Sequence, residues 1–343
     1  MKIDFVLPWV NPLDREWQAK KSFHSNINLK ETSSNSESRY RDMGTLRYVL
    51  RSIEKNCPWY NRIYLITEGH FPEWLDINNE KIFLITHNQL YYEKEHLPIF
   101  NSSSIEMNLG NIDALSENFV YLNDDVIIMR GVNKERFFFH DKPVDFLSHG
   151  WLPRNKIYFW LRNSDVWVNS LLNNLNLVNS QCNLEKIDKS MLYHESYSVK
   201  DKLSNFLFFN IYKKAFWLEH WHHPQPYNKR TLLLVRELFS KEMSICSANK
   251  FRDKSDLTQY LYRYWHLLNG DFYPKKHYDG IERNLSSIEK LLEMIDSIES
   301  NQNIKFACFN DSPYLSDENY NEVKGALMDY LNKKFPTKAS FEL

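Results

Sequence analysis

Three groups of polar residues have the types and spacing for chemistry. The first is Asn123, Asp124 and Asp125, which interrupt the apolar run FVYLNDDVIIM at 119–129. Adjacent carboxylates at a strand end repel each other and lose solvation unless positive charge is near. Hard divalent ions bind such oxygens and help carry substrate phosphates, although Asn and Asp are also ordinary turn residues. The second is HWHHPQPYNKR, with His220, His222 and His223. An unperturbed imidazole titrates near neutral pH and can act as a general base. The alternative is a surface or zinc-binding cluster, but the spacing follows no zinc pattern and no cysteine is nearby. The third is the arginine set Arg39, Arg41, Arg47, Arg51 and Arg252. Guanidinium can clamp phosphate with two hydrogen bonds, while most arginines on helices are solvated charges. The chain has neither G-x-G-x-x-G nor G-x-x-x-x-G-K, so side chains, metal or helix N-termini must hold any phosphate.

Strand and helix patterns alternate in the N-terminal part. KIDFVLPWV, RIYLIT (62–67), KIFLIT (81–86) and FVYLNDDVIIM read as strands. Residues 15–40 are polar and rich in Ser and Asn, and ETSSNSES reads as a loop. In DMGTLRYVLRSIEKNC, Leu46, Val49, Leu50 and Ile53 share a face at helical spacing, with Asp42 near the helix start. Ser103 and Glu106 are spaced as a capping box. Such alternation predicts a mostly parallel, Rossmann-like α/β sheet flanked by helices, with ligands at the carboxyl ends of strands, where Asn123, Asp124 and Asp125 lie. Helices are also predicted in LRNSDVWVNSLLNNL, DKLSNFLFFNIYKKAFW, KRTLLLVRELFSKE, SDLTQYLYRYWHLLN, SSIEKLLEMIDSIES and NEVKGALMDYLNKKF, making the C-terminal part helix-rich. A last strand, IKFACFND, ends in Asn310 and Asp311.

The 343 residues suffice for one large domain or two smaller ones. A formal charge of -1 gives no global field for nucleic acid. Aromatics make up 15% of the chain; they can fill a core or form platforms for sugar rings. Cys57, Cys182, Cys246 and Cys308 form no C-x-x-C pair, which argues against a disulfide framework. No signal peptide is read at the start, and no apolar run is long enough to cross a bilayer. The expected location is the cytoplasm or the inner face of the cell membrane.

Four blocks resemble the Stealth family of sugar-1-phosphate transferases. IDFVLPWVNPLDREW is similar to the first; RYRDMGTLRYVLRSIEKNCPWYNRIYLITEGHFPEWL, continuing through LPIFNSSSIEMNLGNIDALSENFVYLNDDV, to the second; HHPQPYNKR with RELF and NKFRDKSDL to the third; FACFNDSPY with FPTKASFEL to the fourth. Only about residues 132–215 fall outside them. Pro12 stands where the family has glycine, which opens the question of loop shape there.

The resemblance implies catalytic roles for His222, Arg252 and Asp4. It implies metal contacts for Asp125 and Asp311, with Mg²⁺ or Mn²⁺ as cofactor. Arg41, Asn101, Asn123, Asp124 and Arg162 are the expected substrate-binding residues. Residues 1–131 are expected to bind the nucleotide sugar, 132–220 to form a variable helical region related to the acceptor, and 221–343 to complete the site. The implied reaction moves a sugar-1-phosphate from a UDP-sugar to a hydroxyl of an oligosaccharide or polysaccharide, free or lipid-linked, and releases UMP. Bacterial capsular or surface polysaccharide is the expected product, and peripheral membrane association is compatible with it. The alternatives are a metal-dependent glycosyltransferase, which attacks carbon and releases UDP, and a carbohydrate-binding module without nucleotide product.

Overall fold

The computed structural model describes residues 1–28, 40–150, 166–312 and 315–343. Its main sheet has five strands in the order β3-β2-β1-β4-β8: β1 (Ile3–Pro8), β2 (Ile63–Thr67), β3 (Ile82–Thr86), β4 (Asn118–Tyr121) and β8 (Gln225–Asn228). The first four run parallel; β8 is antiparallel to β4. The expected Rossmann-like, mostly parallel α/β sheet is therefore present. Pro226 lies within β8, opposite Val120; an edge strand tolerates the missing N–H. That proline hides β8 from a reading based on propensity.

Side chains alternate across the sheet. Ile3, Phe5 and Leu7 face a core shared with helix Leu46–Asn56, helix Ile288–Ser300 and helix Asp317–Lys334. Val6, Tyr64, Ile66 and Phe119 face a second core with helix Val166–Gln181 and helix Tyr260–Leu268. Segments from all three stretches of the chain thus pack on one sheet.

FVYLNDDVIIM is two strands rather than one. β4 ends at Tyr121, and β5 (Val126–Ile128) leaves the main sheet to pair antiparallel with β11 (Phe306–Asp311), which is also paired parallel with β10 (Gly280–Leu285). A third small sheet joins β6 (Phe138–Phe139), β7 (Lys142–Asp145) and β9 (Tyr273–Pro274).

Two local expectations need correction. The loop read in ETSSNSES lies outside the described residues; before it, residues 15–28 form a helix, Arg15–Asn28, capped by the Asp14 carboxylate, which accepts from Trp17 N at 2.7 Å. The Asp14 and Glu16 pair was a legible start signal. Ser103 is not an N-cap: Asn101 caps helix Ser102–Met107 by accepting from Ser103 N, which leaves Glu106 for another task. Helix Lys229–Leu238 breaks at Phe239 before helix Ser240–Ala248.

The C-terminal residues are fastened by charge. Arg51 donates to both Glu342 carboxylate oxygens, at 2.6 and 2.8 Å, and to Phe335 O. Arg47 lies 3.6 Å from the same carboxylate and over the Trp74 ring. Both arginines therefore hold the fold. Removing one member of a buried ion pair strands the other. Arg51→Ala should lower unfolding free energy by about 3 kcal/mol in denaturant titration; an unchanged midpoint would refute this anchoring role.

Candidate active site

The turn between β4 and β5 builds the site. Val126 N donates to Asn123 O at 3.2 Å, so Asp124 and Asp125 occupy the two central positions of a four-residue turn. Asn is a favoured first residue of such turns. The turn lies at the carboxyl end of β4, where parallel sheets bind ligands. Register then brings the other groups in. Tyr121 is opposite Gln225 in the β4–β8 pair, so the residues just before β8 return beside those just after β4. The Asn123 amide lies 3.1 Å from His222 Nε2, and Asp125 Oδ1 lies 3.7 Å from that nitrogen. On the other side, Val126 is paired with Cys308, which places Cys308 Sγ 3.5 Å from Asp125 Oδ2.

Electrostatics in this corner are strongly coupled. Burial pushes Asp124 well above the ordinary carboxylate value, and the charges of Asp125 and Asp42 push it further. Burial would raise Asp125 too, but the neighbouring His222 charge, 3.7 Å away, brings it below the ordinary value. For His222 burial opposes the proton, yet Asp125 holds it, raising the imidazole to about 9. His222 and Asp125 retain 33% and 24% side-chain exposure, so the pair is enclosed but reachable. By linkage, the His222 share of stability is complete below its ordinary value of 6.5 and is lost as pH rises through about 9. The Asp125 share is present above the ordinary carboxylate value and is lost as pH falls through its lowered one.

The neighbouring histidines have other tasks. His223 is pushed down to about 4, first by burial and then by Arg136, and packs against Phe306. His220 packs against Tyr260 and Trp167.

Arg252 is held one layer away. Its Nη2 donates to Ser102 Oγ at 2.7 Å. Asn101 organises the loop that carries it, donating to Phe251 O at 3.3 Å and to the Asp256 carboxylate at 3.0 Å. Asn101 therefore acts here through the loop. Glu106, which the sequence reading spent on a cap, is the shared neighbour. Burial raises its carboxyl, while Gln259 N, Arg252 and Tyr121 oppose the rise; Tyr121 Oη donates to it at 3.0 Å and Gln259 N at 2.7 Å. Glu106 also contributes to holding the His222 proton. Arg252 and His222 thus both feel one buried carboxylate.

A cavity of about 530 Å³ is lined in part by Asn11, Trp17, Lys21, Tyr40, Arg41 and Asp42; its lining does not include the turn, His222 or Arg252. Its size suits a substrate pocket, and Asp42 links it electrostatically to Asp124. Pro12 stands in a turn in which Asp14 N donates to Asn11 O at 3.2 Å and Asn11 N donates to His70 Nε2 at 2.9 Å. Proline suits the second place of such a turn, which answers the question raised by the missing glycine.

Three expected residues are committed elsewhere, and two arginines cannot be placed. Asp4 is buried early in β1, opposite Phe119, with Asn61 Nδ2 and Ser116 N donating to its two oxygens at 2.7 Å each. Three residues separate Phe119 from the turn at Asn123, so the structure does not bring Asp4 to His222. Asp311 is clamped by Arg41 through bonds of 2.8 and 2.9 Å, so each occupies the other at the cavity wall. Arg162 and Arg39 lie outside the described residues.

Two outcomes follow from this geometry. In Asp125→Asn, NMR titration of His222 should show its pKa falling from about 9 toward or below the ordinary histidine value; a value held near 9 would refute the pairing. Asp4→Asn should lower the melting temperature while leaving kcat per folded molecule within about twofold; a large kcat loss at normal stability would put Asp4 back in the chemistry.

Comparison with known proteins bears out the family resemblance. Residues 1–28 match Stealth protein CR1, conserved region 1, and residues 39–145 match Stealth protein CR2, conserved region 2. The chain is 36% identical over 346 residues to the capsular polysaccharide phosphotransferase WcwK of Streptococcus pneumoniae, covering 99% of this chain and 98% of that protein. It is 30% identical to the receptor polysaccharide phosphotransferase WefC of Streptococcus oralis, covering 100% and 99%. It is also 30% identical to the exopolysaccharide phosphotransferase cps2G of Lactiplantibacillus plantarum, covering 99% and 96%. The chain belongs to the Stealth family.

Proposed function

We propose that this protein is a polysaccharide phosphotransferase that moves a sugar-1-phosphate from a UDP-sugar to a sugar hydroxyl. The observation that carries this reading is the Asp125–His222 couple at the carboxyl end of β4. Full-length similarity to three polysaccharide phosphotransferases supports it.

The acceptor oxygen attacks the β-phosphorus of the donor. A new P–O bond forms, the bond to the bridging oxygen breaks, and UMP leaves with that oxygen. His222 takes the hydroxyl proton, a service that contributes about 10²- to 10⁴-fold. Its resting state is the imidazolium beside Asp125, so it must first lose its own proton. A cation held by Asp125 would share the carboxylate's charge and so weaken its hold on that proton. Arg252, poised at Ser102, stabilises charge that spreads over the phosphoryl oxygens. Asn123 orients the imidazole.

The turn fits a divalent cation. Asp125 Oδ1 is buried without a hydrogen-bond partner, and Asp124 is driven toward its neutral form by burial and by Asp125. Both strains are relieved by positive charge, so Asp124 and Asp125 are the proposed ligands for Mg²⁺ or Mn²⁺. Such an ion supplies charge neutralisation for a diphosphate. Asp125, His222 and Cys308 also offer donor atoms within 4.8 Å of one another.

We assign donor binding to 1–131 and acceptor binding to 132–220, with 221–343 completing the site; a lipid-linked acceptor at the inner face of the cell membrane fits this scheme. No helix among the described residues is long and apolar enough to cross a membrane.

Incubation with a panel of UDP-sugars, Mg²⁺ or Mn²⁺ and an oligosaccharide acceptor should yield UMP and an acceptor heavier by a sugar phosphate. UDP release with transfer of the sugar alone would replace this reading with a glycosyltransferase. His222→Ala should lower kcat/KM by at least about 10²-fold with an unchanged fold; retained turnover would remove His222 as the base.

A further inference from the structure

The described residues carry one apolar surface that the transfer reaction does not use. Helix Val199–Asn205 runs into a π-helical turn, Phe206–Ile211. Val199, Leu203 and Phe206 recur at helical spacing on one face. They are 83%, 53% and 50% exposed, and Ile211 and Tyr212 continue the surface at 59% and 56%. Isolated exposed apolar residues are common, but contiguous ones mark contact surfaces.

The opposite face is firmly anchored, so this is no frayed segment. Asn205 donates to Leu147 O at 2.7 Å and Leu192 O at 2.9 Å, and Phe208 and Phe209 are buried. A capping box at Ser198 and Asp201 fixes the helix start.

Charge indicates what covers the outward face. Residues 199–214 contain Lys200, Lys202, Lys213 and Lys214 and a single acid, Asp201. Asp201 is turned inward, accepting from Lys276 Nζ at 2.9 Å and Ser148 Oγ at 2.7 Å. Lys213 pairs with Glu185 at the far end. Apolar side chains rimmed by lysines match an anionic lipid surface, with the rings and aliphatic groups in the acyl boundary and the amines at headgroup phosphates.

The same element is coupled to the catalytic loop. Lys276 bridges Asp201 to Glu219 at 2.8 Å, and Trp221 Nε1 donates to Glu219 at 3.2 Å, one residue before His222. We propose that the face formed by Val199, Leu203, Phe206, Ile211 and Tyr212 docks this protein on an anionic membrane, presenting the His222 loop to acceptors anchored there. The docking is independent of the transfer chemistry; the presentation of an acceptor rests on the function proposed above.

Co-sedimentation with vesicles tests it without nucleotide sugar. The full chain should pellet with phosphatidylcholine vesicles containing phosphatidylglycerol, and far less with phosphatidylcholine alone or in high salt. The double variant Leu203→Asp with Phe206→Asp should reduce partitioning by at least about tenfold. Lys200→Glu with Lys202→Glu and Lys214→Glu should remove the preference for anionic lipid. Both variants should keep wild-type melting temperatures. Absence of wild-type binding, or equal binding by the variants, would overturn the proposal. So would a dimer in sedimentation velocity that the aspartate variant dissolves, since the face would then belong to a second copy. A protein that binds vesicles but transfers no sugar phosphate would leave the docking face intact and refute the functional reading alone.

Discussion

Two carboxylates stand side by side in a tight, enclosed turn, and much of the structure answers that strain. Asp125 is held charged against its burial by the facing His222, and Asp124 is pushed toward neutrality by burial and by the charges of Asp125 and Asp42, which outweigh the pull of His222. Three pairings converge to make this possible. β4 sets the turn at the sheet's carboxyl edge, antiparallel β8 returns the imidazole to it, and β11 closes the other side with Cys308. A one-residue slip in β8 would turn His222 to the other face of the sheet, so strand register is itself part of the site.

The outer layer consists of groups that act through others. Asn101 ties the first residue of a helix to the loop bearing Arg252, and Glu106 sits between the arginine and histidine regions in a buried polar network. Such networks hold functional groups in one geometry when every member is satisfied. A cavity of about 530 Å³, joined to the charged turn only through the field of Asp42, is large enough for a small-molecule substrate.

The sequence shows much of this and conceals the rest for definite reasons. The parallel sheet was legible because IYLIT and IFLIT are short apolar runs separated by helical patterns. Asp125 and His222 stood out by residue type, but their meeting depends on β8, whose proline disguises it as loop. Asp4 looked like an active-site acid because nothing in one dimension shows that Asn61 and Ser116 satisfy both its oxygens. Glu106 was hidden by a competing local reading, since Ser103 three positions earlier imitates a helix cap. Asp311 was legible as an acid at a strand end, but its pairing with Arg41 joins residues 270 positions apart.

The central claim is that Asp125 and His222 act as one unit. A double-mutant cycle in kcat/KM, built from Asp125→Asn, His222→Asn and the double variant, measures that coupling directly. For a working unit, each single substitution should cost nearly as much as both together, giving strong non-additivity. Losses that simply multiply would show two independent residues and contradict the account.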